Sequence, residues 1–172
     1  MLVNKSINNA LRDLLKSDKK VLLIGEDILD PYGGAFKVTK NLSNLFPSQV
    51  YASPISEAGI VGVGTGLSMK GFKPIIEIMF GDFLTLCADQ IINHLSKFHF
   101  LHNSLKPSSI VIRTPMGGGR GYGPTHSQSL EKLYLGVDGL TIIAQNIFAN
   151  AGDLLKNSVN LGSPVIFIEN KM

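Results

Sequence analysis

Glu57 is the residue of this chain most open to chemistry. It stands in Ser53-Pro54-Ile55-Ser56-Glu57-Ala58-Gly59, at the expected start of a helix. An acid there complements the positive end of the helix dipole, with Ser56 or Ser53 as the cap. The same carboxyl, kept from water, is a proton donor or acceptor. Local chemistry leaves both readings open. Glu26 closes an apolar run, Val21 to Gly25, and reads as a turn acid or as a second carboxyl of the same site. Phe83, after Gly81-Asp82, is apolar at an expected helix start and reads as core packing. His126, in Thr125-His126-Ser127-Gln128, follows a stretch from Met116 to Pro124 with five glycines in nine residues. It lies off any apolar face, and its local setting reads as an exposed loop histidine or a functional one. Asp138, in Gly136-Val137-Asp138-Gly139, most simply makes a turn.

Positioning such groups takes a sheet. Val21 to Gly25, Pro74 to Phe80 and Ser109 to Arg113 are apolar runs of the kind found in strands buried on both faces. Shorter strands are expected at Val50 to Ala52, Thr141 to Ala144 and Pro164 to Ile168. Helices are expected over Met1 to Ser17, Phe36 to Phe46, Glu57 to Lys70, Phe83 to Lys97, Gln128 to Leu135 and Phe148 to Val159. This alternation predicts an α/β fold, a parallel β-sheet sandwiched by helices. Ligands bind such sheets at the carboxyl ends of the strands. Glu26, Glu57, the Gly81-Asp82-Phe83 turn and the loop from Thr114 to His126 all lie at such ends and are expected to converge. After the last strand only Glu169 to Met172 remain, so a partner, a downstream segment or a short tail is expected to follow it. The helix from Glu57 carries glycine at 59, 62, 64 and 66. Each costs about 1 kcal/mol relative to alanine, which calls for a backbone or ligand packed close against them.

Composition sets the outer bounds. The 172 residues, 44% hydrophobic and 17% charged, predict one globular domain with a sizeable core. The net charge of +3 is scattered, without the basic stripe of a nucleic-acid binder. No apolar run approaches the ~20 residues of a membrane span. The opening segment, with Ile7, Ala10, Leu11, Leu14 and Leu15 on one face, reads as an amphipathic helix rather than a signal peptide; an intracellular, soluble protein is the expectation. Cys87, the lone cysteine, shares a helical pattern with Leu84, Ala88, Ile91 and Leu95 and is expected to be a buried structural thiol. A dinucleotide fingerprint would need glycine where Met69 stands, and no phosphate-binding P-loop, zinc spacing or nucleophile elbow occurs.

Taken in order, Gly25-Glu26-Asp27, Pro54-Ile55-Ser56-Glu57-Ala58-Gly59, Asp89-Gln90-Ile91-Ile92-Asn93 and His126-Ser127-Gln128-Ser129 closely resemble the β subunits of thiamine-diphosphate-dependent 2-oxo acid dehydrogenases. The spacing from Glu57 to Gly62-Val63 and Gly66-Leu67 fits the same pattern. The resemblance runs from about residue 4 to residue 170 and covers that family's pyrimidine-binding domain, so residues 1–172 are expected to form this domain, with the family's carboxyl-terminal domain outside it. It implies that the cofactor supplies the carbanion chemistry. Glu57 would hydrogen-bond the far pyrimidine nitrogen, which favours a water-poor, tightly paired site for it. Phe83 would stack on the aminopyrimidine, Glu26 would share its hydrogen-bond network, and His126 would line the substrate or lipoyl channel. The family's G-D-G diphosphate motif is not in this sequence, so magnesium and diphosphate would be bound by an α subunit. The chain alone would then be inactive. The assembly implied is a heterotetramer, with self-association through the glycine-rich helices and acyl transfer to a lipoyl domain. Leu161 and Ser163 occupy the positions of the family's potassium-ligating Asp and Asn, which argues against that ion. The resemblance places the protein in a bacterial cytoplasm or an organelle matrix. Two other readings are a transketolase-like or deoxyxylulose-phosphate-type synthase domain, with Arg113 and Arg120 as the phosphate-reading candidates, and a non-catalytic assembly module.

Overall fold

In the computed structural model, which describes residues 2–103 and 109–171, six strands form one all-parallel sheet. The elements in chain order are α1 (Val3–Ser17), β1 (Val21–Gly25), α2 (Leu42–Leu45), β2 (Val50–Ala52), α3 (Glu57–Met69), β3 (Lys73–Glu77), α4 (Phe98–Leu101), β4 (Val111–Met116), β5 (Thr141–Ala144), α5 (Ala151–Asn160) and β6 (Val165–Asn170). The sheet order is β2-β1-β3-β4-β6-β5. The chain leaves β1 for β2 on one side and returns to β3 on the other, which puts the switch point between β1 and β3. This is the α/β sandwich the apolar runs predicted.

Period-2 alternation divides the core between the two faces. Leu23, Ile75, Val111, Val165 and Phe167 pack under α1 and α5, against Leu11, Leu15, Leu155 and Val159. Leu22, Ile76, Ile112, Ile166 and Ile168 pack under α3 and the segment 81–95, against Val61, Leu84, Cys87 and Ile91. The four inner strands are almost wholly buried, while β2 and β5 are largely open to solvent, as edge strands are. Cys87 is a free, buried thiol, as its helical spacing predicted.

Four expected helices come out differently. Phe36 to Phe46 shortens to α2, because Gly33, Gly34, Lys37 and Asn41 all take left-handed backbone. Asn8 on α1 donates to the free carbonyls of Val38 and Lys40 instead. Gln128 to Leu135 shortens to one 3-10 turn, Glu131–Leu133, since the Gln128 N–H is drawn to Asp82 and Gly136 turns the chain. Phe83 to Lys97 is wound irregularly: a 3-10 segment, Gly81–Cys87, then a π-helical one, Gln90–Leu95. The last helix starts at Ala151 rather than Phe148, where the Asn150 side chain caps Gly152 and Asp153. Met1, included in the first expected helix, lies outside the described residues.

The glycines of α3 do not share one cause. A Cβ at Gly64 would overlap the Ile76 side chain and stand 3.0 Å from Ile110 Cδ1, so the close approach there is to the sheet of the same chain. At Gly66 a Cβ meets nothing within 4 Å. The two positions therefore predict opposite signs. Gly64→Ala is expected to lower stability by about 1–2 kcal/mol, overpacking outweighing helix propensity. Gly66→Ala should raise the stability of the chain by up to about 1 kcal/mol. Urea unfolding of both variants checks this, and equal shifts would refute it.

Candidate functional site

All four predicted residues stand at the carboxyl end of the sheet, in two groups. The first is a pair of acids. Glu26 follows β1 and Glu57 opens α3, and they are only 6% and 7% exposed. Glu26 Oε1 accepts a hydrogen bond from the Ser56 N–H at 3.2 Å. Burial, and then the charge of Glu57, push the Glu26 carboxyl above its ordinary range. Glu26 is therefore not a surface turn acid. The capping expectation also fails: the Ser56 side chain makes no capping bond. The Ser53 hydroxyl is buried without a hydrogen-bond partner among the described residues.

The second group is aromatic. Phe83 and His126 meet edge-on at 5.2 Å between ring centroids, and Phe80 meets them at 5.6 Å and 4.9 Å. Tyr122 and Phe36 extend the group, each edge-on to Phe80. His126 is half-buried, with Nδ1 2.9 Å from Thr125 Oγ1, so it is not the exposed loop histidine that its glycine-rich setting allowed. Edge-to-face aromatic packing of this kind favours one ring orientation by about 0.5–1.5 kcal/mol per pair.

Cys87 links the two groups. Its thiol lies 3.4 Å from the Leu84 carbonyl, one turn beyond Phe83. It is pushed up to about 12, by burial first and by the Glu57 charge second. A thiol so held is not a nucleophile at neutral pH.

Behind both groups stands a charged cluster that sequence reasoning left in pieces. Arg113 on β4 is 1% exposed. It donates through Nε and Nη2 to Glu169 of β6, at 2.6 and 2.8 Å, and through Nη1 to Glu77 of β3. Burial raises the Glu77 pKa against the pull of Arg113, and the two carboxylates hold the guanidinium firmly charged. All of its fork is spent inside the protein, so Arg113 is not free to read a phosphate. The available signal was one charge in or beside each of three apolar runs: Glu77 inside Pro74 to Phe80, Arg113 closing Ser109 to Arg113, and Glu169 just after Pro164 to Ile168. Asp82, Gln128 and Lys171 were likewise not singled out. A cleft of about 510 Å³ opens beside Phe36, Arg120, Tyr122 and Lys171, on the α1 side. None of the four predicted residues lines it.

An all-parallel sheet that gathers buried acids and edge-on aromatic rings at its switch-point end is a doubly wound α/β binding domain. The chain belongs to the transketolase pyrimidine-binding domain family, whose model matches residues 1–172. It is 36% identical over 173 residues to subunit beta-1 of the mitochondrial pyruvate dehydrogenase E1 component of Arabidopsis thaliana, covering 100% of this chain and 47% of that one. The bacterial counterpart from Leifsonia xyli is 38% identical over 166 residues, with 96% and 49% covered. The chain thus spans about half the length of the curated relatives it matches. Among solved structures, a split-gene transketolase described as an inactive beta4 tetramer superposes with a TM-score of 0.77 over 98% of this chain and 50% of that one. At 18% identity that likeness speaks for the fold.

Two outcomes follow from the buried charges. Glu26, held above its ordinary 4.5, binds its proton more tightly in the folded state than in the unfolded chain. Its contribution is full below 4.5 and is lost as pH rises through the folded value. Glu26→Gln should therefore gain stability over the parent as pH climbs from that range to neutrality. A difference independent of pH in urea unfolding would contradict this. Arg113→Met should lose roughly 3–5 kcal/mol, since it leaves two buried carboxylates unpaired; a loss below about 1 kcal/mol by the same measurement would contradict the burial argument.

Proposed function

We propose that this chain is the pyrimidine-binding part of a thiamine-diphosphate-dependent 2-oxo acid dehydrogenase of the pyruvate dehydrogenase type. It would act in oxidative decarboxylation with acyl transfer to a lipoyl domain. The observation that carries the proposal is the pair of buried acids, Glu26 and Glu57, on the same sheet end as Phe83 and His126. Buried carboxyls without a cationic partner are costly to keep, and a ligand that hydrogen-bonds them accounts for their retention. A flat heterocycle with ring nitrogens fits this chemistry, with a half-buried aromatic ring to stack on.

Thiamine diphosphate, when bound, supplies a carbanion nucleophile for the 2-oxo carbon. The Glu57 carboxyl would hold the far pyrimidine nitrogen by a hydrogen bond and would carry the proton exchanged there. Glu26 fixes the turn before Glu57 through the Ser56 N–H and shares the hydrogen-bond network. Phe83 offers a face for the ring, and His126 donates to the substrate carboxylate or to the incoming lipoyl group.

The diphosphate and its magnesium belong to an α subunit in this reading, and the chain alone is inactive. The outer face of α3 bears Gly59, Gly62, Val63 and Gly66 and offers a surface for close helix packing in a heterotetramer. Relatives in bacteria, mitochondria and chloroplasts support a cytoplasmic or organelle-matrix location. Arg113, consumed by Glu77 and Glu169, weighs against a sugar-phosphate synthase. Buried acids retained at the site weigh against a purely structural module.

Glu57→Gln tests the proposal in the complex assembled with the diphosphate-binding chain. Decarboxylation should fall by about 10²–10⁴-fold, the usual worth of a positioned acid, with assembly unchanged by size-exclusion chromatography. Cofactor affinity, read by calorimetry, should weaken in the same variant. Full activity would refute the assignment of Glu57.

A further inference from the structure

The loop from Gly117 to Gln128 is mostly exposed, yet it carries His126. Its base is closed by the Gly117 N–H donating to the Gln128 carbonyl at 3.2 Å. Beyond that, two buried charges hold it. Asp82 Oδ1 accepts from the Gln128 N–H at 3.1 Å and from Gln128 Nε2 at 2.9 Å. Lys171 Nζ donates to the carbonyl of His126 itself. It stands 4.7 Å over the Phe80 ring and 3.8 Å from Asp82 Oδ2, an oxygen with no hydrogen bond among the described residues. Arg120, in the same loop, donates from Nε to the Lys171 carbonyl at 2.5 Å.

The side chains of Lys171 and Asp82 are 0% and 3% exposed. A lysine ordinarily lays its stem along the surface and keeps the ammonium in water. Turning it inward carries a desolvation cost, visible in a Lys171 pKa drawn down by burial and opposed by Asp82. What the inward turn secures is a carbonyl and an aromatic face, both next to the imidazole.

We propose that Asp82 and Lys171 are positioning residues for His126. Asp82 pins the far end of the loop through Gln128, and Lys171 pins the His126 backbone. The imidazole is thereby kept edge-on to both Phe80 and Phe83. The catalytic purpose of this tether rests on the function proposed above; the tether itself does not.

The test is carbethoxylation of histidines by diethyl pyrocarbonate, located by mass spectrometry, on the full chain in the assembly in which it is isolated. Lys171→Met should raise the rate at His126 roughly tenfold, the effect of one lost charge-assisted hydrogen bond on a local opening. The rate at the exposed His94 should not change. Lys171→Arg, which keeps a cation, should restore most of the protection. Gln128→Ala removes an exposed side chain and is expected to fold in any case; it should move His126 in the same direction by a smaller factor. Wild-type reactivity of His126 in both Lys171→Met and Gln128→Ala would overturn the tether. Raised reactivity with unchanged turnover of the 2-oxo acid would keep the tether and overturn the role given to His126.

Discussion

Arg113 joins three strands at the end of the sheet where everything else is hung. Its guanidinium lies between Glu77 on β3 and Glu169 on β6, with every pairing buried. Each strand then runs directly into a site segment: β3 into the turn bearing Asp82 and Phe83, β4 into the loop bearing His126, β6 into Lys171. A planar fork with donors on two edges fixes spacing and orientation at once, which an ammonium could not do. Two acids on one cation leave an excess negative charge in the interior. Burial first, with the charge of Glu169 adding to it, raises Glu77 against the pull of Arg113, and removing the arginine would leave both carboxylates unpaired. Such a cluster contributes little net stability against an apolar replacement of the same shape. Its value here is register at the site end of the sheet.

The switch point uses a different device. β1 and β3 approach so closely that a Cβ on Gly25 would stand 3.0 Å from both the Glu77 Cβ and its carbonyl oxygen. A larger residue there would push the two strands apart. Glu26 begins where that approach ends, which explains how a carboxyl at a strand terminus comes to be buried rather than solvated. The chain then uses the Ser56 N–H, the first free donor before α3, to satisfy Glu26 instead of using a serine hydroxyl to satisfy the helix. The acid pair is thus a consequence of strand geometry and helix start together.

Much of this was legible in the sequence, and the reasons differ by element. β1, β2 and β5 were readable to the residue because short apolar runs flanked by turn residues admit few registers. The sheet class followed from strands without alternation. The long helices were readable where an apolar face repeats, as in α1. They failed at Phe36 to Phe46 and at Gln128 to Leu135. Apolar residues there fill the core from loops, and backbone donors are claimed by distant side chains such as Asp82. The same long-range pairing hid the burial of Glu26 and the tether on His126. Partners 30 and 46 residues away leave no local pattern. The resemblance to a known family reached Glu26, Glu57, Phe83 and His126 because it works by order along the chain. It did not reach Asp82 or Lys171, whose meaning lies in packing.

The glycines of α3 separate the two kinds of information most clearly. Four in one helix looked like a single demand for close approach. In the folded chain only Gly64 meets the sheet, while a Cβ on Gly66 would face open space and one on Gly62 would stand 3.4 Å from Gln90 Oε1, an ordinary contact. A Cβ at Gly59 would fall 2.7 Å from Ser56 Oγ, so contacts within the chain bear on Gly59 and Gly64, while the helix propensity lost at Gly62 and Gly66, about 1 kcal/mol each, is not recovered within this chain. Those outward positions form a row at helical spacing, beside Val63, which is 59% exposed. On the proposed reading, that row is where a second helix would recover the loss by close backbone contact. Glu57 opens this same helix but is already buried in the chain alone, so the row and Glu57 belong to different faces of α3.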